Sequence, residues 1–292
     1  MKVDNAVILA AGTASRFAPL SYEKPKALAE VKGEVLIERQ IRQLHEAGIN
    51  EVYVVTGYKS ELFLYLEKKC NVKLIHNPYY KTRNNNSSIK AVEEILKNTY
   101  ICCADNYFND NPFNSEEECA FYSALYSDGK TNEWCITTDE DGFISKVTIG
   151  GISSWYMLGH VFWDEEFSNK FTKILDKVYD LPETADKYWE DIFIENIDKL
   201  KMKMKKYPSD IIFEFDTIDE LREFDDSYVK NTRSSILKSI AARLNVSECD
   251  MDGFKSFNDK NNEASGFTFN LKGNIYSYKY ADKKIVKITE KE

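Results

Sequence analysis

The chain has 292 residues, 43% hydrophobic and 30% charged, enough for one large domain or two modest ones around a real core. A formal net charge of −9 argues against broad binding to nucleic acid or to an anionic membrane, so any phosphate site must be local. No stretch is long enough for membrane insertion, the short apolar run after MKVD does not read as a signal peptide, and six cysteines without a CxxC pair beside three histidines do not suggest a zinc site; the expected setting is a reducing cytoplasm.

In chain order, Ala6 to Ala10 reads as a fully buried parallel strand. Val35 to Ala47 carries apolar residues at 36, 37, 41 and 44, a helical stripe, and Gly48 fits its C-cap. EVYVVTGY is a second strand, Ser60 to Lys69 a helix with Ser60 as N-cap, VKLIHN a third strand, Ser87 to Leu96 a helix and TYICCAD a fourth strand. This alternation predicts an α/β protein with an open, mostly parallel sheet and helices on both faces. Past Asp105 the pattern changes to a small antiparallel insert of four runs, CAFYSAL, NEWCITTD, FISKVTIG and SSWYMLGHVFWD, with a turn at Asp141-Gly142. Helices over 165–179 and 188–200 follow, then the strand IIFEFD and a capping box, Thr217 to Glu220, that opens a helix. A boundary near residue 229 separates a domain over 1–229 from a C-terminal extension over 230–292, read as the helix SSILKSIAARL and a β-hairpin, FTFNL-KGN-IYSYKY, turning at Gly-Asn.

The stretch LAAGTASRFAPLSYEKPKAL, Leu9 to Leu28, follows the first strand with small residues and then supplies Arg16, Lys24 and Lys26. Successive N–H groups in such a loop make an anion-binding nest, and Arg16 can fork onto phosphate oxygens. Pro25 pushes Lys24 toward an extended conformation, so the Lys24–Lys26 segment should not be helical, and Lys26 can bring a compact charge beside a reacting phosphate. Taken alone, the stretch reads equally well as a tight turn with surface cations. It contains neither GxxxxGK[ST] nor the glycines of a dinucleotide fingerprint.

The whole pattern LAAGxxxRFxPLxxxxPK resembles the signature of nucleotidyltransferases that couple an NTP to sugar phosphates or choline phosphate, and the resemblance covers residues 3 to 225 in the order and spacing of elements. It implies a Rossmann-like fold, a divalent metal and release of pyrophosphate. By position, Leu9, Ala10, Ala11 and Gly12 would meet the base and triphosphate, with Thr13, Asn84 and Ala104 among the nucleotide contacts. Arg16 would hold the β- and γ-phosphates, and Lys26 would stabilise charge on the α-phosphate. Many of the resembling sugar-nucleotide enzymes have Gly where this chain has Ala14, so a loop that needs positive φ there would be strained.

Asp105 ends one strand and Asp216 another. Either alone reads as a cap or a loop residue, but the box at Thr217 leaves the Asp216 carboxylate to other work. As a pair within this resemblance they are expected to hold Mg²⁺, with phosphate oxygens and waters completing its octahedron. An acceptor phosphate is already anionic and needs no general base, and His45, His76 and His160 read as structural.

Choline phosphate presents a quaternary ammonium, which favours aromatic faces and a carboxylate. Trp134, Tyr188 and Trp189 could form such a cage, with Asp191 or Glu190 as counter-charge, although aromatics make up 13% of the chain and could equally be core. The segments NNNSS (84–88), ADNYF (104–108), TNEW (131–134) and KYWED (187–191) together look like the bacterial choline-phosphate cytidylyltransferases. The expected reaction is therefore CTP plus phosphocholine giving CDP-choline and pyrophosphate. The alternatives are a sugar-1-phosphate uridylyl- or thymidylyltransferase, a cytidylyltransferase for another alcohol phosphate or a phosphonate, and a non-catalytic nucleotide-binding module. Residues 230–292 resemble the opening of a choline-kinase-like N-lobe without its catalytic loop, so kinase activity is not expected; a packing element or homodimer contact is the other reading.

Overall fold

β1 (Asn5–Ala10) is the apolar run NAVILA, buried throughout except for part of Leu9. A strand buried on both faces shows no alternation, and its backbone groups need a neighbour on each side. The computed structural model, which describes residues 1–261 and 263–288, supplies both in parallel. On one side lies β2 (Val52–Thr56), with β3 (Lys73–His76) beyond it; on the other lies β4 (Thr99–Cys103). After β5 (Asn106–Phe108) come two long strands, β6 (Phe121–Thr138) and β7 (Ile144–Trp163), and then the short strands β8 (Lys203–Lys206) and β9 (Ile212–Glu214). The main sheet has the order β8-β6-β7-β4-β1-β2-β3, and β9 pairs with β5 in a separate ribbon. The helices of this part are α1 (Leu36–Glu46), α2 (Tyr65–Cys70), α3 (Asn86–Lys90), α4 (Glu165–Val178) and α5 (Trp189–Glu195).

The fold is the mostly parallel α/β sheet expected from the sequence, with local differences. The four runs of the insert are two continuous strands, because the polar residues between the apolar runs still pair across the hairpin, with register shifts at Ser127/Lys130 and Thr131/Trp134. Ser60 is not an N-cap: Lys59 is left-handed and a 3-10 turn, Ser60–Phe63, precedes α2. The helix expected over 188–200 ends at Glu195.

The chain forms two compact units, each made of two segments: Met1–Gly12 with Leu36–Glu214, and Thr13–Val35 with Phe215 onward. The first unit holds the main sheet. The second contains α6 (Ile218–Phe224), α7 (Ser235–Leu244) and an antiparallel sheet of β10 (Met251–Asn258), β11 (Ala264–Leu271), β12 (Asn274–Lys279) and β13 (Ile285–Ile288) in that order. Phe254, Phe267, Phe269 and Tyr278 are the buried aromatics of this sheet among the described residues. Its central hairpin turns at Lys272-Gly273, both at positive φ, with Leu271 opposite Asn274; the turn falls one residue before the Gly-Asn read from the sequence. Among the described residues no helix is long and apolar enough to cross a membrane.

Candidate active site

In the first unit, the end of β1 is pinned from both sides. The Ala104 N–H donates to the Leu9 carbonyl (3.2 Å), and the Tyr58 N–H donates to the Ala11 carbonyl (3.0 Å). Ala10 and Ala11 are buried, whereas Gly12 is exposed and a Cβ there would meet nothing within 4 Å. The close approach falls instead at Gly57, where a Cβ would lie 2.7 Å from Tyr80 Cβ and 2.9 Å from the Ala11 carbonyl oxygen. Asp105, half-buried, follows β4.

In the second unit, Thr13 is exposed and Ala14 is left-handed, with φ 47° and ψ 51°. An alanine Cβ crowds the backbone in that region, so the strain expected for Ala14 is present. A 3-10 turn, Ser15–Phe17, then buries Phe17. Lys24 is extended (φ −152°, ψ 154°), as Pro25 requires, but a 3-10 turn begins at Lys26 itself, so the expectation of a wholly non-helical segment holds only up to Pro25. Burial lowers the Lys24 pKa; Glu30 opposes the shift and Arg233 adds to it. Asp216 gathers the cations: its Oδ2 lies 2.5 Å from Arg16 Nη1 and its Oδ1 lies 3.5 Å from Lys26 Nζ. The Lys26 side chain is only 4% exposed, whereas that of Arg16 is 73% exposed. The Thr217–Glu220 box caps α6, and Glu220 also accepts the Asp216 N–H (2.7 Å), so the Asp216 carboxylate is not used as a cap.

Asp105 lies in the first unit and Asp216 in the second. Each is a hard oxygen donor of the kind that suits a divalent cation, and Asp216 is already paired with Arg16 and Lys26. Among the described residues no three His, Cys, Asp or Glu side chains come together as a metal site.

The acceptor candidates lie in the first unit. The Trp134 and Tyr188 rings meet edge to face, with centroids 5.9 Å apart. Tyr188, at the N-cap of α5, is 47% exposed. Two residues of the expected cage also have structural roles. Trp189 is core: 2% exposed, stacked on Tyr122 and packed edge-on against Trp163 and Phe171. Asp191 is a capping residue whose Oδ2 accepts the Tyr188 N–H at 2.8 Å. The buried acid between them is Glu190, which accepts hydrogen bonds from Asn85 Nδ2 (3.1 Å) and the Tyr122 hydroxyl (3.3 Å). Burial pushes its pKa up to about 7 against the pull of those donors, and Asp191 adds to the rise. Burial, and then the carboxylates of Asp105, Glu190 and Glu214, push up the pKa of Cys103, the last residue of β4. Asn84 donates from its backbone N–H to the Ala185 carbonyl and from Nδ2 to that of Asp186, while Asn85 Oδ1 accepts the Trp189 N–H at 2.7 Å. The NNNSS segment is thus a brace for the start of α5.

Residues 6–113 match the MobA-like NTP transferase domain. The chain is 34% identical over 221 residues to the choline-phosphate cytidylyltransferase of Streptococcus pneumoniae, covering 76% of this chain and 96% of that protein. This chain belongs to the NTP transferase family. The transferase is also 32% identical over 234 residues to the 2-aminoethylphosphonate cytidylyltransferase of Lancefieldella rimae, covering 79% of this chain and 95% of the relative. The solved structure of CTP:phosphocholine cytidylyltransferase from Streptococcus pneumoniae superposes with a TM-score of 0.74 at 33% identity, covering 78% of this chain and 99% of that one. These relatives are spanned almost whole, while about a fifth to a quarter of the transferase has no counterpart in them.

Sequence reasoning missed Asn85, Gly57 and Tyr122, and it named Glu190 only as an alternative to Asp191. No local pattern marks Gly57, a single glycine just past a strand. Glu190 and Asp191 differ by 100° around a helix, so the choice between them depends on where α5 begins.

His160 is fully buried among Tyr100, Phe108, Phe113 and Phe121, and its Nε2 lies 3.2 Å from the Tyr207 hydroxyl. Burial, and to a smaller extent Lys205, lowers its pKa to about 3, which makes it a neutral structural group.

Proposed function

We propose that this transferase moves CMP from CTP to phosphocholine, giving CDP-choline and pyrophosphate. An oxygen of the acceptor phosphate attacks the α-phosphorus in line; the new P–O bond forms as the bond to the β-phosphate oxygen breaks, and its electron pair leaves on pyrophosphate. The attacking group is an anion, so the chain's task is to bring anions together and neutralise the leaving charge. Arg16 is assigned to the β- and γ-phosphates, and Lys26, a buried ammonium held beside Asp216, to the α-phosphate. The resemblance implies Mg²⁺, which would supply further neutralisation of the triphosphate when bound; Asp105 in the first unit and Asp216 in the second are each proposed as an oxygen ligand. Leu9 to Thr13 and Ala104 are assigned to the nucleotide.

The observation that carries the choice of acceptor is the Trp134–Tyr188 aromatic pair in the same unit as a buried acid, Glu190, on the first turn of the helix that Tyr188 caps. A quaternary ammonium has no N–H to donate, so it is recognised by ring faces and by net negative charge. Of the two acids weighed for the counter-charge, Asp191 and Glu190, Glu190 takes the role, with Asn84, Asn85 and Trp189 behind it. The relative that acts on 2-aminoethylphosphonate supports a second reading, in which a primary ammonium donates hydrogen bonds to the same acid. The test is Trp134→Ala assayed with both acceptors. For phosphocholine we expect the KM to rise about five- to thirtyfold, in keeping with ~1–2 kcal/mol for a desolvated cation–π contact, with little change in kcat. An unchanged KM for phosphocholine would remove Trp134 from the acceptor site.

A further inference from the structure

We propose that the segment beyond residue 230, for which the resemblance to the transferases has no counterpart, is a clamp that positions the Arg16–Lys26 segment, and that Glu23 is the positioning residue through which it acts. This rests on the assignment of Arg16 and Lys26 to the phosphates.

Residues 13–35 fold as one unit with the C-terminal part of the chain. The joint is specific. Glu23 Oε1 accepts the backbone N–H of Ser235 (2.8 Å) and of Ile236 (3.3 Å), and also the Ser235 hydroxyl. Ser235 and Ile236 open α7, and their N–H groups have no partner within the helix. Ser234 caps the N–H of Leu237, so Glu23 completes the cap from more than two hundred residues away and sets its negative charge against the positive end of the helix. Next to Glu23, the Tyr22 ring stacks on Tyr280, with centroids 3.6 Å apart and planes within 6°. Tyr280 is tied in turn to β11 through its N–H and the Ser265 carbonyl (3.0 Å). The 3-10 turn Ser15–Phe17, which carries Arg16, lies against β10.

Glu23 and Tyr22 sit between Arg16 and Lys26, so the extension grips the signature segment at its middle and at its start. The grip answers a need on the same segment. Ala14 is held left-handed one residue before Ser15, and such a conformation persists only where the surroundings over-determine it. The choline-phosphate cytidylyltransferase of Streptococcus pneumoniae is matched over 96% of its own length by 76% of this chain, so about a quarter of this chain has no counterpart in it.

The test compares full-length Glu23→Ala, Glu23→Gln and Tyr280→Ala with the wild type, measuring steady-state pyrophosphate release and hydrogen exchange of the peptide covering residues 13–28. Glu23→Ala should lower kcat about tenfold to a hundredfold, the scale of a misplaced catalytic group, while the KM for the acceptor stays within about twofold because the acceptor residues belong to the other unit. Glu23→Gln keeps an acceptor oxygen and should recover most of the loss, and Tyr280→Ala should fall between the two. Exchange over residues 13–28 should quicken in the order of the kcat losses. An unchanged kcat in Glu23→Ala overturns the proposal, as does an equal loss in Glu23→Gln. If the wild type itself shows no turnover, the assigned reaction fails and hydrogen exchange decides the clamp alone: faster exchange in Glu23→Ala upholds it, and unchanged exchange overturns it.

Discussion

Replacing Glu190 with Gln tests the acceptor site through protons. Burial raises the Glu190 carboxyl from its ordinary 4.5 to about 7, with Asn85 and Tyr122 holding its oxygens. That rise corresponds to about 3 kcal/mol between the two protonation states. The folded free protein binds this proton more tightly than the unfolded chain does. The stabilisation is therefore complete below pH 4.5 and is lost as pH rises through about 7. Glu190→Gln, neutral at every pH, should gain on the wild type by up to about 3 kcal/mol between pH 5 and pH 8 in urea unfolding. Binding a quaternary ammonium reverses the preference, because the ionised carboxylate is the form that attracts it. The acceptor should therefore bind the deprotonated enzyme, and its KM at pH 6 should be about tenfold higher than at pH 8. The acceptor's own phosphate titrates in this range, so the informative quantity is the difference between the wild-type and Glu190→Gln profiles. Matching KM profiles, or unfolding curves that keep a constant separation from pH 5 to 8, would refute the reasoning.

Lys26→Ala should lower kcat by about 10²–10³ while CTP affinity, read by calorimetry, changes less than about tenfold, because its charge is assigned to the reacting phosphate. Ala14→Gly removes the left-handed penalty of about 1–2 kcal/mol and adds about 0.5–1 kcal/mol of chain entropy, so urea unfolding should show the variant equal to the wild type or up to about 1.5 kcal/mol more stable; clear destabilisation would mean that the loop does not carry this strain.

Much of the fold was legible because its signals are local. A doubly buried strand must be an unbroken apolar run, as in NAVILA; Thr217 and Glu220 satisfy each other's backbone donors; Ser234 precedes the apolar stripe of α7. The positions of Arg16, Lys26 and Asp216 were readable as types in a pattern, but their meeting at one carboxylate was not, since it joins segments two hundred residues apart. The strand β10, MDGFKSFN, was not legible, because only Met251 and Phe254 of it are buried and the apolar signal is sparse. Trp189 shows the limit for aromatics: the same ring serves a core or a ligand, and only its neighbours Tyr122, Trp163 and Phe171 decide.

The central claim is most directly tested by measuring Mg²⁺-dependent pyrophosphate release for CTP, UTP, dTTP, ATP and GTP, each with phosphocholine, 2-aminoethylphosphonate and glucose 1-phosphate. The account predicts release with CTP and phosphocholine well above every other pair. Release with a sugar phosphate, or with 2-aminoethylphosphonate ahead of phosphocholine, would contradict the assignment of Trp134, Tyr188 and Glu190 to a quaternary ammonium.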